Sequence, residues 1–180
     1  LSTDSKKIVE ICSKYKNIEI PFIRPKELST DSANISDVSL HILEHYKKEN
    51  FTHIALFQPT TPFRNIDEIT NAINVFKKGN VESIFSVNEI TYHPSRCVII
   101  KENSYEYVLQ PSTKMEGRQF LQKVYSINGS FYMCSIDFLE LNKSFMSPDS
   151  VPVIFSKKSS FDIDDQFDLE QARQFYELKD

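Results

Sequence analysis

Glycine is nearly absent from this chain, with 3 in 180 residues, and there is no tryptophan. Few tight glycine turns are therefore available. Gly79, Gly117 and Gly129 are scattered, and none opens a helix after a strand. That excludes a glycine-rich phosphate cradle from these residues. Cysteine is also scarce. Cys12, Cys97 and Cys134 are odd in number and lack metal-ligand spacing. Cys12 and Cys134 sit among apolar neighbours and read as buried thiols, which suits a reducing cytoplasmic setting. No apolar run reaches the length of a membrane span, and no signal peptide is visible, so no membrane partner is expected. Basic runs are missing too, and the net charge is −4, which argues against a nucleic-acid partner. An anionic substrate would then need local Arg and Lys groups or a metal. Neither a Ser/His/Asp nor a Cys/His pattern stands out, and there are no internal repeats.

What is present is an ordinary globular composition, 40% hydrophobic and 26% charged, with room for one good core. The 14 Phe and 8 Tyr point to an aromatic-rich interior. Along the chain, Ile8, Val9, Ile11 and Cys12 recur at helical spacing behind a Thr3 or Asp4 cap. Ile18, Ile20 and Phe22 alternate as a short strand stopped by Arg24–Pro25. A helix follows from Val38 to Tyr46. His53–Phe57 is a nearly continuous apolar run, as expected of a strand buried on both faces. Ile66, Ile69, Ile73 and Phe76 mark the next helix, closed by Gly79–Asn80, and Val81–Val87 the next strand. This alternation predicts a three-layer α/β fold with a mostly parallel sheet.

The rhythm breaks between Thr91 and Asn128, where Cys97–Ile100 and Tyr105–Leu109 read as two strands joined by a polar turn. An irregular insertion of this kind is commonly an active-site cover or an oligomer arm. Regular structure resumes with a strand at Ser130–Cys134, a helix at Ile136–Leu141 and a strand at Val151–Phe155.

Three stretches could carry chemistry. In the first, Phe161 and Ile163 alternate with Asp162 and Asp164, which predicts a strand ending in two carboxylates on one face. A helix follows, with Asp165 as N-cap and Asp168 three residues on. Carboxylates at the end of a strand suit a divalent cation, which takes one or two such oxygens and fills its other positions with water and phosphate. An acidic first turn that merely favours the helix dipole is the plainer alternative. The second stretch, Gln58-Pro59-Thr60-Thr61-Pro62-Phe63-Arg64, is stiffened by two prolines. Gln58 there offers donors and acceptors, and Arg64 is a clamp for phosphate or carboxylate unless it is simply solvated. The third, Asn128-Gly129-Ser130-Phe131-Tyr132, enters a strand from a turn, so that Asn128 could reach a ligand while Tyr132 packs. His93 reads as structural, since no nucleophile is placed beside it.

These pieces, in this order, together with Ser2-Thr3-Asp4-Ser5, Arg24-Pro25-Lys26-Glu27-Leu28 and His93-Pro94, resemble the acylneuraminate cytidylyltransferases. The resemblance covers nearly the whole chain and extends to relatives that activate legionaminic or pseudaminic acid. It implies one cytidylyltransferase domain over residues 1–180, with 91–128 as a dimerisation and active-site arm. It also implies transfer of a cytidylyl group from CTP to a nonulosonic acid, in a homodimer that uses Mg²⁺ or Mn²⁺. Asp162 and Asp164 match the metal pair, and Asp164 is also placed to orient or deprotonate the attacking sugar hydroxyl. Gln58 and Asn128 match the sugar pocket, with Tyr132 close by and Phe145 as an apolar wall near the acyl group. Arg96 and Arg118 match arm cations that reach the neighbouring subunit's site. Ser2 and Arg24 lie in segments near the nucleotide. Alternatives are another sugar acid, such as an octulosonic acid, or an inactive binding or dimerisation module. One departure stands out: the family's opening strand and phosphate loop have no counterpart here. The chain thus reads as beginning partway through a fold, and these residues alone are expected to be inactive with CTP and poorly folded.

Overall fold

The computed structural model describes residues 1–110 and 121–177. Its elements are α1 (Lys6–Cys12), α2 (Ile35–His45), β1 (His53–Leu56), α3 (Ile66–Lys78), β2 (Ser83–Glu89), β3 (Val98–Lys101), β4 (Ser104–Tyr107), β5 (Tyr125–Ser135), α4 (Ile136–Asn142), β6 (Val151–Ile154) and α5 (Gln166–Glu177). The expected α/β class holds. Four strands form a sheet in the order β1-β5-β2-β6, and β3 and β4 form a separate ribbon. β1 runs antiparallel to β5, with His53 opposite Ser135 and Leu56 opposite Tyr132. Thr3 and Ile23 form an isolated parallel bridge.

By compactness the chain divides into two units. The first comprises Leu1–Leu56, Phe76–Ile84 and Tyr132–Val151. Its core gathers Cys134, Phe138, Leu139 and Phe145, with Leu40, Leu43, Ile54 and Leu56 packed against them. Caps explain where its helices begin. The Ser5 side chain accepts from the Ile8 N–H to start α1, Asn34 accepts from Ser36 to start α2, and Ser135 accepts from Phe138 to start α4. The cap of α1 is therefore Ser5, one or two residues beyond the Thr3 or Asp4 expected. Thr3 is instead buried in the bridge, with its hydroxyl accepting from the Ser5 N–H.

Two strand expectations in this unit need correction. Ile18–Phe22 forms no strand. Its one aromatic member, Phe22, stands edge-on to His41 and His45 of α2, and only Ile23 joins a bridge. β1 is not buried on both faces: exposed and half-buried residues alternate along it, as suits a strand at the end of the sheet order. Cys12 is half-buried rather than buried, whereas Cys134 is fully enclosed.

The second unit comprises Phe57–Val75, Phe85–Phe131 and Pro152–Asp180. Phe131 is fully enclosed in it, tilted against Phe57 and stacked on Phe155. Phe63, Phe161 and Phe175 meet edge to face around a second aromatic cluster. Asn65 caps α3, accepting from the Asp67 N–H. The β3–β4 hairpin forms as the sequence predicts, Val98 opposite Tyr107 and Lys101 opposite Ser104. At the far end of α3 it is Asn80, not Gly79, that takes the left-handed conformation.

Candidate functional site

The predicted strand at Phe161–Asp164 does not exist; the segment joins no ladder. Its alternation has another cause. The Phe161 ring packs on Phe63 and Phe175, the Phe161 N–H donates to Lys158 O at 3.3 Å, and the Ile163 N–H donates to Thr60 O at 2.9 Å. That bond fastens the acidic segment to the Gln58–Arg64 loop. Asp162 is half-buried, and its Oδ1 is enclosed without a hydrogen-bond partner. Asp164 is exposed. The expected cap is present in reciprocal form. Asp168 N–H donates to Asp165 Oδ1 at 2.9 Å, while Asp168 Oδ2 accepts from the Asp164 and Asp165 N–H groups at 3.1 and 3.2 Å.

The Gln58–Arg64 loop is organised around one carbonyl. Gln58 O accepts from the Thr61 N–H, from Thr61 Oγ1 at 3.1 Å and from Arg64 Nη2 at 2.9 Å. Thr61 is completely buried beneath this arrangement. The Arg64 guanidinium lies 5.0 Å from the centre of the Phe57 ring. Partial burial lowers its pKa from the usual arginine value, yet an arginine so placed stays cationic. The Gln58 side chain passes directly over Gly129, where an added Cβ would collide with Gln58 Oε1. Gly129 also has φ +71, a conformation that other residues adopt only with strain.

Asn128 is held on three sides. Its Oδ1 accepts from Ser86 Oγ at 2.5 Å and from the Ser130 N–H at 3.1 Å, and its Nδ2 donates to Ser160 Oγ at 2.7 Å. The Gln58 loop, the Asn128 stretch of β5 and the Asp162–Asp164 segment thus come together within the second unit, and the Asn128-Gly129 pair lies inside β5 rather than in the turn expected before a strand at Ser130. Sequence reasoning missed the groups that tie them: Ser86, Ser160 and Thr60. Ser86 did leave a trace, since a serine inside the apolar run Ile84-Phe85-Ser86-Val87 must find a partner.

Tyr132 and Phe145 belong to the first unit, with ring centres 5.9 Å apart. Phe145 is a core residue at 4% exposure, so it presents almost no wall to a ligand. Arg24, also in the first unit, is engaged by the chain itself: Nε donates to Ser29 Oγ at 3.1 Å and Nη2 lies 3.5 Å from Asp4. Ser2 Oγ is enclosed without a partner. Arg96 ends the short 3₁₀ turn Pro94–Arg96 in the second unit. His93 caps that turn, its Nδ1 accepting from the Ser95 N–H, which is the structural role expected. Arg118 lies outside the described residues.

The donor set suits a hard divalent cation. No cluster of three or more His, Cys, Asp or Glu exists among the described residues. One enclosed, unpartnered carboxylate oxygen beside an exposed second carboxylate fits an ion that draws its remaining ligands from water and phosphate.

The fold is an α/β one of the nucleotide-diphospho-sugar transferase kind. The solved structure of a 4-diphosphocytidyl-2C-methyl-D-erythritol synthase from Anaerococcus prevotii shares this fold, with a TM-score of 0.60 over 98% of this chain and 78% of that one at 12% identity. No family model matches the sequence. Sequence relatives are more specific. A CMP-N,N'-diacetyllegionaminic acid synthase of Legionella pneumophila is 29% identical over 99% of this chain and 77% of its own length. A pseudaminic acid cytidylyltransferase of Campylobacter jejuni is 29% identical with the same coverage. An N-acylneuraminate cytidylyltransferase of Streptococcus agalactiae is 29% identical over 94% of this chain, which spans 40% of that longer protein. The chain is a relative of the acylneuraminate cytidylyltransferase family, as its motifs implied.

Proposed function

We propose that the protein activates a nonulosonic acid with CTP, giving the CMP-sugar and pyrophosphate for cell-surface glycan assembly. The observation that carries this reading is the joining of the Gln58 loop, Asn128 and the Asp162–Asp164 segment by hydrogen bonds, with Asp162 Oδ1 enclosed and unpartnered. In the reaction the anomeric hydroxyl oxygen of the sugar bonds to the α-phosphorus of CTP. The bond from that phosphorus to the bridging oxygen breaks, and pyrophosphate leaves with its electrons. Asp164 orients the hydroxyl and takes its proton. Gln58 and Asn128 hold the sugar's polar groups, and Arg64 adds positive charge beside them. Asp162 and Asp164 would hold Mg²⁺ or Mn²⁺, which when bound offsets phosphate charge and lowers the pKa of the attacking hydroxyl.

The protein is further read as a cytoplasmic homodimer. Free thiols at all three cysteines agree with a reducing compartment, and no helix among the described residues is long and apolar enough to cross a membrane. Pyrophosphate release by the full-length natural protein, given CTP and a panel of nonulosonic acids, tests the activity. Turnover with at least one sugar is expected, together with a product of CMP-sugar mass and complete loss in EDTA. Asp162→Ala should lower kcat by about a hundredfold or more while leaving the melting temperature nearly unchanged. Activity undiminished by EDTA, or no CTP-dependent turnover with any sugar, would sink the reading.

A further inference from the structure

We infer that Ser86 is a positioning residue that acts through Asn128, fixing that amide so that it offers the sugar acid one N–H donor and no acceptor. The inference rests on the proposed function and deepens it.

The hydrogen-bond polarity can be worked out from the backbone. Phe131 N–H donates to Ser86 Oγ at 2.9 Å, and a backbone amide can only donate. Ser86 keeps its own proton to give, and the Asn128 side chain lies 2.5 Å away. A second backbone donor, Ser130 N–H, reaches the same Asn128 atom at 3.1 Å. Two donors converging on one atom make it the amide oxygen and fill both of its lone pairs. The nitrogen is thereby forced toward Ser160, to which it gives one of its two protons at 2.7 Å. Ser160 Oγ in turn donates to Ser156 O at 2.8 Å, so the chain of bonds ends on backbone. Ser86 is fully enclosed, which makes the device rigid and removes water as a substitute partner. Asn128 is left with a single N–H for a ligand, suited to a carboxylate, hydroxyl or acyl oxygen. The same bond to Ser160 ties this donor to the segment that carries Asp162.

The test combines kinetics with a measurement independent of turnover. In the full-length protein, Ser86→Ala should reduce kcat/KM for the sugar acid about tenfold, chiefly through KM, with KM for CTP unchanged within about twofold. Because Ser86 acts through Asn128, the double variant with Asn128→Ala should be no worse than Asn128→Ala alone. Ser160→Ala removes the other anchor at a less enclosed position and should reproduce the KM effect even if Ser86→Ala folds poorly. The side-chain ¹⁵N–¹H signals of Asn128 should exchange slowly with solvent in the native protein and faster in either serine variant. Additive losses in the double variant would overturn the inference and leave the proposed function standing. Unaltered Asn128 signals in both serine variants would overturn it as well. Wild-type protein without CTP-dependent turnover would fell the proposed function, while the Asn128 signals would still decide whether the serines fix the amide.

Discussion

At the scale of single residues, Cys134 shows how burial alone sets reactivity. It is fully enclosed in the first unit's core, and burial pushes its thiol pKa up to about 12. The folded value lies above that of a free thiol, so the folded state favours the neutral form. This contribution to stability is complete below about pH 8.5, the ordinary thiol value, and is lost as pH rises toward the folded value. Cys134 should therefore resist alkylation in native protein at pH 8, while half-buried Cys12 and Cys97 react. Mass-spectrometric labelling rates check this, and equal labelling of all three would refute it. Asn128 was legible as a candidate because an Asn-Gly pair is a turn signal, although the structure carries the pair inside β5. Its polarity was not legible, because Ser86 stands 42 residues away and no local pattern joins them. Phe145 reads the other way. An aromatic near a pocket and an aromatic in a core look alike until exposure is known.

Among the elements, α5 was read most fully from sequence, down to Asp165 as cap and Asp168 as its reciprocal partner. The consequence reaches the site, because Asp168 Oδ2 also accepts from the Asp164 N–H. Asp168→Ala should lower stability by about 1 kcal/mol through loss of the cap. For a protein of this size that is a fall in melting temperature of roughly 2–4 °C, measured by thermal denaturation. Asp168→Asn, which keeps an acceptor oxygen, should recover most of it, and an unchanged melting temperature in both variants would discount the cap. The same segment shows why the strand expectation failed. Phe161 packs on Phe63 and Phe175 without any ladder beside it, and Asp162 is half-buried like Phe161 and Ile163, so the alternation in the sequence does not become a two-faced strand. β1 failed for a related reason. An apolar run states what a strand could bury, whereas its place in the sheet order decides what it does bury.

For the whole molecule the open question of assembly centres on the β3–β4 hairpin. Ile100 is 77% exposed and Tyr105 58%, and Val98 and Ile99 are exposed as well. A two-stranded ribbon with its apolar side chains in water has little stability of its own, so a second copy of the chain is its expected cover. Ile100→Glu should convert a dimer to a monomer in light scattering at micromolar concentration, and an unchanged mass would count against the arm. If Arg96 and Arg118 serve the opposite site, mixing Arg118→Ala with Asp164→Ala chains should restore one working site per heterodimer. Proven heterodimers without activity would exclude sharing.

The close passage of Gln58 over Gly129 bears on how such a pocket can be altered. Any side chain at 129 claims space that Gln58 now occupies, and any shorter residue at 58 leaves a void above the glycine. A side chain at 129 must move the end of Gln58 and also strain the backbone at φ +71. A mutational library aimed at new sugar preferences would find mostly dead clones if it varied them one at a time. Randomising 58 and 129 as a pair, with glycine retained at 129 in one arm, samples the combinations that the backbone can carry.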